Sequence, residues 1–214
     1  MELADYLPRL AQGLLVSLQL TVLSVALGFV LGLFLALGVT SARGWIKWPV
    51  LVVVEIGRGV PALVVLYIVY FGLPAIGVLF ENFTAAVIGL TFTAAAYSSE
   101  IIRAGIQSVP RGQTEAASAL GFARTTSFVR IVLPQGLRSA VPPLMGLAIM
   151  SFQATSLAYS ISVNELMSQA YQVSTISFDY LTVYAITGLV FAAIAVPATW
   201  LSVAVEHRLA RGAA

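Results

Sequence analysis

The sequence predicts an all-α integral membrane protein with five transmembrane helices, and three observations lead to this fold class. Hydrophobic residues make up 59% of the 214 residues, and charged residues make up only 9%. The mean hydropathy is +0.96. A soluble domain carries charge on about a quarter of its residues. Five apolar stretches also reach the roughly 20 residues that a helix needs to cross the hydrocarbon core. We therefore expect one transmembrane domain over residues 1–214, surrounded by the lipid bilayer.

Three of the five predicted spans are easily recognised as long apolar runs. The first predicted span, 14–39, contains no charged residue. The third, 85–106, is apolar as far as Glu100, and the fifth, 183–205, is apolar with one proline, Pro197. Uninterrupted apolar runs of this length are typical of transmembrane helices.

The second and fourth spans are less uniform. The second predicted span, 50–71, contains Glu55 and Arg58. The fourth, 139–160, has a proline pair near its start and Gln153 within it. Prolines are tolerated in the first turn of a helix, so the pair is compatible with a span that begins there.

Basic residues collect on one predicted side of the membrane. This side comprises the segments after spans one and three and the C-terminal tail. It holds eight of the eleven basic residues: Arg43, Lys47, Arg111, Arg124, Arg130, Arg138, Arg208 and Arg211. The opposite side holds Arg9 with five acids: Glu2, Asp5, Glu81, Glu165 and Asp179. Because Lys and Arg are enriched in cytoplasmic loops, the N-terminus is predicted outside and the C-terminus in the cytoplasm.

Four charges remain inside the predicted spans, as two copies of an E-x-x-R pattern. Glu55 and Arg58 form one copy, and Glu100 and Arg103 form the other. Each intramembrane charge costs at least roughly 2.5 kcal/mol near the bilayer centre, so we expect all four to face the protein interior. One hypothesis pairs Glu55 with Arg103 and Glu100 with Arg58 near the inner end of a pathway. The alternative pairs each acid with the arginine of its own helix.

The segment 107–136, between spans three and four, has helix signals of its own. They predict a helix, a sharp turn at Gly121 and a second short helix that Pro134 ends, at the cytoplasmic surface. Adjacent alanines give the first helix a small-residue face that lets another protein approach closely. Elsewhere, the small-residue spacing in Gly28 and Gly32 predicts close helix packing, either within the subunit or across a dimer.

Within this segment the run EAASALGFARTTSFVRIVLP resembles the EAA loop of ABC (ATP-binding cassette) importer permeases. Every fixed position of that loop is filled, by Glu115, Ala116, Ala117, Gly121, Ile131, Leu133 and Pro134. The resemblance implies the fold of a type I ABC importer permease. It also implies that these seven residues couple the chain to an ATPase.

The flanking segments are similar to the polar amino-acid branch of these permeases, the histidine, glutamine and arginine type. The similar runs are LLVSLQLTVLSVALGFVLG, EIGRGVPALVVLYIVYFGLP, AAYSSEIIRAGIQSVPRGQTEAASALG and TSLAYSISVNEL. This chain departs from the branch at Gln153 and Ala154, where the branch often has a charged pair. The departure puts in question a substrate contact that the branch has there.

The resemblance implies a pump subunit with several partners. Such permeases pair with a second copy or a similar permease, dock an ATPase pair and receive solute from an extracytoplasmic binding protein. The sequence has no GxxxxGK[ST] loop, so this chain is expected to bind no cofactor, with ATP and Mg bound by the ATPase. The implied location is the bacterial cytoplasmic (inner) membrane, with several passes. The implied function is ATP-driven import of polar or charged amino acids, or close derivatives, by alternating access.

Candidate substrate or pathway contacts are the polar groups inside the predicted spans. They are Glu55, Arg58, Glu100, Arg103, Gln153, Thr155 and Ser156. A zwitterionic amino acid in a low-dielectric cavity needs such groups for its ammonium and carboxylate. Thr155 and Ser156 have an alternative role, which is to bond carbonyls one turn back along their own helix.

Other functions are less well supported by the residues. The chain has no cysteine and one histidine, so no metal site and no catalytic residue are predicted. A net charge of +2 is too small to predict nucleic-acid binding. The remaining alternatives are import of another small solute, an ion-coupled secondary transporter or channel, and a membrane scaffold. The second leaves the EAA run unexplained, and the third would bind a cytoplasmic partner without moving solute.

Overall fold

The protein is helical throughout the part that the computed structural model describes, residues 6–211. The two ends of the predicted domain, 1–5 and 212–214, lie outside the described residues, and the first of them includes Glu2 and Asp5. The side chain of Arg211 also lies outside them. The α-helices are α1 (Leu7–Val39), α2 (Gly44–Gly59), α3 (Ala62–Tyr67), α4 (Asn82–Gln107), α5 (Arg111–Ala119), α6 (Arg124–Ser127), α7 (Leu133–Ala154), α8 (Leu166–Ser177) and α9 (Tyr180–Arg211).

Shorter helical segments of other types extend several of these helices. Two are π-helical, Ile68–Gly72 and Phe128–Val132, and two are 3₁₀ segments, Leu73–Ile76 and Thr155–Ile161. Among the described residues, four continuous helices are long and apolar enough to cross a membrane, and the number rises to five if one bent pair of helices counts as a span. The all-α class is therefore confirmed, and the prediction of five spans agrees with the upper count.

The second span is broken in the middle, so the prediction of one helix over 50–71 was wrong. The segments Gly44–Gly59 and Ala62–Ile76 are bent by 107° relative to each other. Val60 between them is extended, with φ −90° and ψ 129°. Pro61 follows it, and a proline disfavours helical geometry in the preceding residue and removes one backbone donor. The sequence contains this signal, but the apolar count alone hides it.

The fourth span is longer than predicted and includes the second half of the EAA run. A single helical run, Arg124–Ile161, passes from α6 through the π-helical segment and α7 into the 3₁₀ segment. Pro134 lies in the first turn of α7 and does not end a helix there. Its missing N–H matters little at that position, which explains why the predicted stop was wrong.

The first span packs along the third through small side chains. On α1 the buried residues recur at three- and four-residue intervals and include Ser24, Gly28, Gly32 and Ala36. The Ser98 hydroxyl of α4 donates a hydrogen bond of 3.1 Å to the carbonyl of Gly28. The small-residue stripe therefore serves packing within the subunit, which decides between the two predicted uses of this spacing.

A short helix, α8, covers the N-terminal ends of α1 and α9. Its apolar side, Leu166, Ala170 and Val173, is buried against Leu10 of α1 and Val183 of α9. The stretch 163–180 mixes apolar and polar residues, so its sequence allows either a short surface helix or a plain connector. The structure has the helix, because a 12-residue segment with three buried apolar positions can be stabilised by packing.

Candidate functional site

The four intramembrane charges form ion pairs within their own helices. In α2, the Arg58 Nη1 lies 3.3 Å from the Glu55 Oε1. In α4, the Arg103 Nε donates a hydrogen bond of 2.8 Å to the Glu100 Oε2, and a second bond joins the same two side chains. The cross-pairing hypothesis is therefore wrong. An i, i+3 spacing brings both partners onto one face of a helix, so neither acid needs a partner from another helix.

Both ion pairs line one polar pocket of about 440 Å³. The pocket lies between the end of α1, α2 and α4, and its other polar lining residues are Thr40, Ser41, Lys47 and Gln107. In the described part of the chain, no three His, Cys, Asp or Glu side chains form a group that could hold a metal ion. With two carboxylates and three basic groups, the pocket is suited to charged or strongly polar ligands.

A larger cavity of about 710 Å³ lies between α3, α4, α7 and α9, and Gln153 lines it. Most of its wall is apolar, with residues such as Leu90, Leu147 and Val203. Tyr97 and Ile101 of α4 face this cavity, whereas Glu100 and Arg103 face the polar pocket. The structure therefore separates Gln153 from the four charges, which the sequence placed in one set of candidates.

The hydroxyl groups around the large cavity already donate their protons to backbone carbonyls. Thr93 donates to Gly89 at 3.2 Å, and Tyr97 bridges helices by donating to the Arg58 carbonyl at 3.1 Å. Ser151, Thr199 and Ser202 likewise donate to the carbonyls of Leu147, Ala195 and Pro142. A hydroxyl has one proton, so each of these groups has only acceptor capacity left for a ligand.

Thr155 and Ser156 do not line either of these cavities. The Thr155 hydroxyl is fully buried and donates to the Phe152 carbonyl at 2.7 Å, and the Ser156 hydroxyl donates to the Gln153 carbonyl at 2.8 Å. Both therefore bond carbonyls one turn back, which was the alternative that the sequence left open.

Several lining residues were missed from the sequence, and a signal for four of them was present. Thr93 and Tyr97 are four residues apart in the third span, so they lie on the same face of a helix. Thr199 and Ser202 in the fifth span have the corresponding three-residue spacing. Which of the polar faces meet across helices depends on packing, and the sequence does not show it.

The EAA segment forms a helical hairpin whose turn requires glycine. After α5 ends, Gly121 has φ +79°. The Gly121 N–H donates to the Ser118 carbonyl and the Phe122 N–H to the Ala117 carbonyl, both at 3.0 Å. This is the Schellman hydrogen-bond pattern, in which a left-handed residue ends a helix and satisfies its last carbonyls.

The remaining EAA residues lie at different depths in the hairpin. Glu115 and Ala116 on α5 are exposed, and Ala117 is buried with 1% exposure. Ile131 lies in the π-helical segment, and Leu133 and Pro134 begin α7. The exposed side of the hairpin also presents large apolar side chains, of which Leu120 is 78% exposed and Phe122 41% exposed.

At the end of the molecule where α1 and α9 begin, the buried carboxylate of Glu165 caps α8. Its oxygens accept hydrogen bonds from the backbone N–H groups of Met167 at 2.9 Å and Ser168 at 2.8 Å. The Ser17 hydroxyl of α1 donates to the same carboxylate at 3.2 Å. Burial raises the pKa of the Glu165 carboxyl, while these three hydrogen bonds act in the opposite direction.

The fold and the site define a multi-pass membrane protein with a solute-sized cavity among its spans and a helical hairpin between the third and fourth. The chain belongs to the family described as binding-protein-dependent transport system inner membrane component, whose profile matches residues 7–211. It is therefore a multi-pass component of the inner membrane. The resemblance to ABC-importer permeases expected from the EAA run is confirmed at this level.

Individual relatives agree with the family. The chain is 41% identical over 187 residues to the probable amino-acid ABC transporter permease YckA of Bacillus subtilis strain 168, covering 87% of this chain and 83% of YckA. It is 38% identical over 214 residues to the L-cystine transport system permease TcyL of the same organism, covering 97% and 90%. A crystal structure of an amino acid ABC transporter with histidines matches with a TM-score of 0.91 and 33% identity, over 96% of each chain.

Proposed function

We propose that this chain is the membrane-spanning permease subunit of an ATP-driven importer of amino acids. The relatives named as amino-acid and L-cystine permeases match most of the chain, which supports this substrate class. The similarity to a solved amino acid ABC transporter covers nearly the full length of both chains and supports the same conclusion.

The observation that carries the coupling part of the proposal is the exposed EAA hairpin. Glu115 and Ala116 on α5 and the apolar side chains of Leu120 and Phe122 face outward. Exposed apolar groups beside a charged residue are typical of a surface that another protein covers. We assign this surface to the ATPase subunit. Ala117 and Gly121 hold the hairpin in shape, and Ile131, Leu133 and Pro134 join it to the fourth span.

The other partners follow from the same assignment. An ATPase pair binds the ATP and Mg, because this chain has no phosphate-binding GxxxxGK[ST] loop. A second copy or a similar permease completes the membrane part. The extracytoplasmic binding protein delivers the solute at the end that carries α8. In this arrangement the N-terminus is outside and the C-terminus is in the cytoplasm, as the distribution of eight basic residues supports.

The cavity of about 710 Å³ is the proposed solute site within this subunit. Its volume lies within the range of about 300–1,000 Å³ found for small-molecule sites. The helical run Arg124–Ile161 connects the EAA hairpin to Gln153 in the cavity wall without an intervening loop. Movement of the ATPase subunits would therefore reach the cavity through one helix, as alternating access by rigid-body rotation requires.

Reconstitution tests the proposal. The permease, co-expressed with the ATPase and the binding protein encoded beside it, is placed in proteoliposomes with ATP inside the lumen on the ATPase side. We expect two ATPase subunits for each permease pair and amino-acid uptake that vanadate stops. Uptake that continues without ATP would contradict the proposal, and so would a purified permease that carries no ATPase.

A charge reversal on α5 tests the docking surface. Glu115→Lys is expected to lower ATPase recovery and uptake at least tenfold, because the acidic side chain is exposed in the surface assigned to the partner. Glu81→Lys makes the same charge change at an exposed site beside α4 at the predicted outer end and serves as the control. Equal assembly and uptake by the two variants would contradict the docking assignment.

A further inference from the structure

We infer that the solute held in the large cavity has no net charge, so the importer takes amino acids with uncharged side chains. This inference rests on the proposed function, because it names the substrate class of the solute cavity assigned there. It depends on the chemical groups that line the cavity and on those that face away from it.

None of the residues that line the cavity is Asp, Glu, Lys, Arg or His. Its polar side chains are those of Thr93, Tyr97, Ser151, Gln153, Thr199 and Ser202. A charged group that leaves water for such a cavity must find a counter-charge or lose much of its solvation free energy. The described walls provide no counter-charge for a solute.

The charged residues of α4 that are nearest to the cavity face the polar pocket and bind each other. Glu100 and Arg103 line the polar pocket, whereas Tyr97 and Ile101 of the same helix line the cavity. The Arg103 guanidinium is also joined to the Glu100 carboxylate by two hydrogen bonds. These charges therefore satisfy each other and do not balance a charge in the large cavity.

The hydrogen-bonding groups of the cavity are suited to a single zwitterion. Five hydroxyl groups have donated their protons to carbonyls and present only oxygen lone pairs, which can accept from an α-ammonium group. Among the lining side chains, the amide of Gln153 supplies the N–H donors that an α-carboxylate requires.

The two charges of the zwitterion balance each other, and a third charge has no partner. A guanidinium or ammonium on the solute side chain would meet no carboxylate in the cavity. A side-chain carboxylate would meet no cation, and it would compete with the α-carboxylate for the donors of Gln153. The remaining wall, which includes Leu90, Leu147 and Val203, is suited to an uncharged or partly apolar side chain.

Binding to the assembled permease–ATPase complex in nanodiscs, without the binding protein, tests the inference. The probes are L-glutamine and L-methionine as neutral solutes with one zwitterion each, L-arginine as a cationic solute and L-glutamate as an anionic solute. We expect at least one neutral probe to bind at least tenfold more tightly than either charged probe. Tighter or equal binding of L-arginine or L-glutamate would overturn the inference.

Gln153→Glu adds the counter-charge that the cavity lacks. We expect the ratio of the Kd values for L-arginine and the tighter-binding neutral probe to shift towards L-arginine at least tenfold. Gln12→Glu makes the same change at an exposed site on α1 that lines neither cavity and should leave the ratio unchanged. An unchanged ratio in Gln153→Glu, in a complex of normal thermal stability, would overturn the inference.

Failure of the inference and failure of the proposed function give different results. If amino acids of every charge bind equally, the complex imports amino acids and only the inference fails. If none of the four probes binds and no amino acid is taken up with ATP, both the proposed function and the inference fail.

Discussion

Glu165 shows how much a single buried side chain contributes to the packing of α8 on α1 in this permease. The carboxylate is fully buried and bonded to two backbone N–H groups of α8 and to Ser17 of α1. The Ser17 oxygen in turn accepts a hydrogen bond from the N–H of Leu166 at 3.2 Å. A Cβ atom on Gly13 would lie 2.8 Å from the Leu166 Cα, so α1 and α8 are as close here as glycine allows. One acid therefore joins the first span to the helix that covers it.

The first prediction concerns removal of this cap. Glu165→Ala leaves the N–H groups of Met167 and Ser168 and the hydroxyl of Ser17 without this partner, and we expect a loss of about 2 kcal/mol of stability. Thermal unfolding in detergent measures it. Glu81→Ala is the matched control, because Glu81 also precedes a helix but makes no side-chain capping bond. Equal losses in the two variants would contradict the capping role.

The second prediction concerns pH. Burial raises the pKa of the Glu165 carboxyl above its ordinary value of 4.5. At pH values between the pKa of the unfolded chain and that of the folded protein, the folded protein therefore keeps a proton that the unfolded chain has released. The stabilisation from this group is complete below the pKa of the unfolded chain and is lost as the pH rises through the folded pKa. Wild type should therefore lose stability relative to Glu165→Gln as the pH rises from about 4.5.

The melting temperature, Tm, of wild type and Glu165→Gln between about pH 4 and 8 checks this dependence. Glu81→Gln is the control for loss of one carboxylate at an exposed site. A constant Tm difference between wild type and Glu165→Gln across this range would show that the carboxyl does not change its proton occupancy on folding.

At the residue scale, the sequence revealed spacing along a helix but not contacts between helices. The two E-x-x-R pairs close within their helices, as the i, i+3 spacing allows. Glu165 stood among the outer charges without a distinct role, although its capping partners are only two and three residues away. Its burial depends on Ser17, which is 148 residues distant in the chain. No local pattern contains that information.

At the element scale, the packing of α1 on α4 depends on the absence of side chains at a few positions. An added Cβ on Gly28 would lie 2.6 Å from the Ala94 Cβ and 3.3 Å from the backbone of Ala94 and Ala95. The backbone of α4 cannot move away from an added Cβ atom without displacing the residues packed against it. The glycine is therefore needed for close approach of the two helices.

The third prediction follows from this contact. Gly28→Ala should lower the stability of the protein by about 1–3 kcal/mol, because the added methyl group overpacks the contact with α4. Gly188→Ala is the control in another span, since a Cβ there meets nothing within 4 Å. Thermal unfolding of the two variants in the same detergent makes the comparison. A Gly28→Ala protein as stable as Gly188→Ala would contradict the packing.

Prolines account for most of what the sequence failed to predict about the elements. Pro61 breaks the second span, because the residue before it is extended. Pro134, Pro142 and Pro143 do not end the fourth helical run. Pro134 is in the first turn of α7, directly after the π-helical segment, and the other two are accommodated within α7. The same residue type therefore breaks one span and is tolerated in another, and the surrounding packing decides which outcome occurs.

At the scale of the whole molecule, the predicted orientation gives the fourth prediction. The chain has no cysteine, so single cysteines can be introduced without removing others. Thr175→Cys on α8 and Leu120→Cys in the EAA hairpin are both at exposed positions, near opposite ends of the proposed topology. A membrane-impermeant maleimide should label the first in intact spheroplasts and the second only after lysis. The reverse pattern would contradict the orientation.

The separation of the two cavities is also a property of the whole molecule. The third span lies between them, with its charged side chains towards the polar pocket and Tyr97 towards the large cavity. The sequence correctly predicted the all-α class, and the family is confirmed by comparison. It placed every intramembrane polar residue in one set, because hydropathy and spacing do not show which helices surround a given face.

The unbroken helical run Arg124–Ile161 gives the molecule the properties of a lever. From Arg124 to Gln153 the rise of about 1.5 Å per residue amounts to about 43 Å, so a tilt of about 5° displaces the far end by about 4 Å. No loop interrupts this length, so no flexible segment takes up the displacement. In the proposed arrangement, a small change of angle at the EAA hairpin would therefore become a larger displacement at the cavity. The stiffness of the π-helical segment Phe128–Val132 would then affect how much of the proposed ATPase movement reaches the cavity.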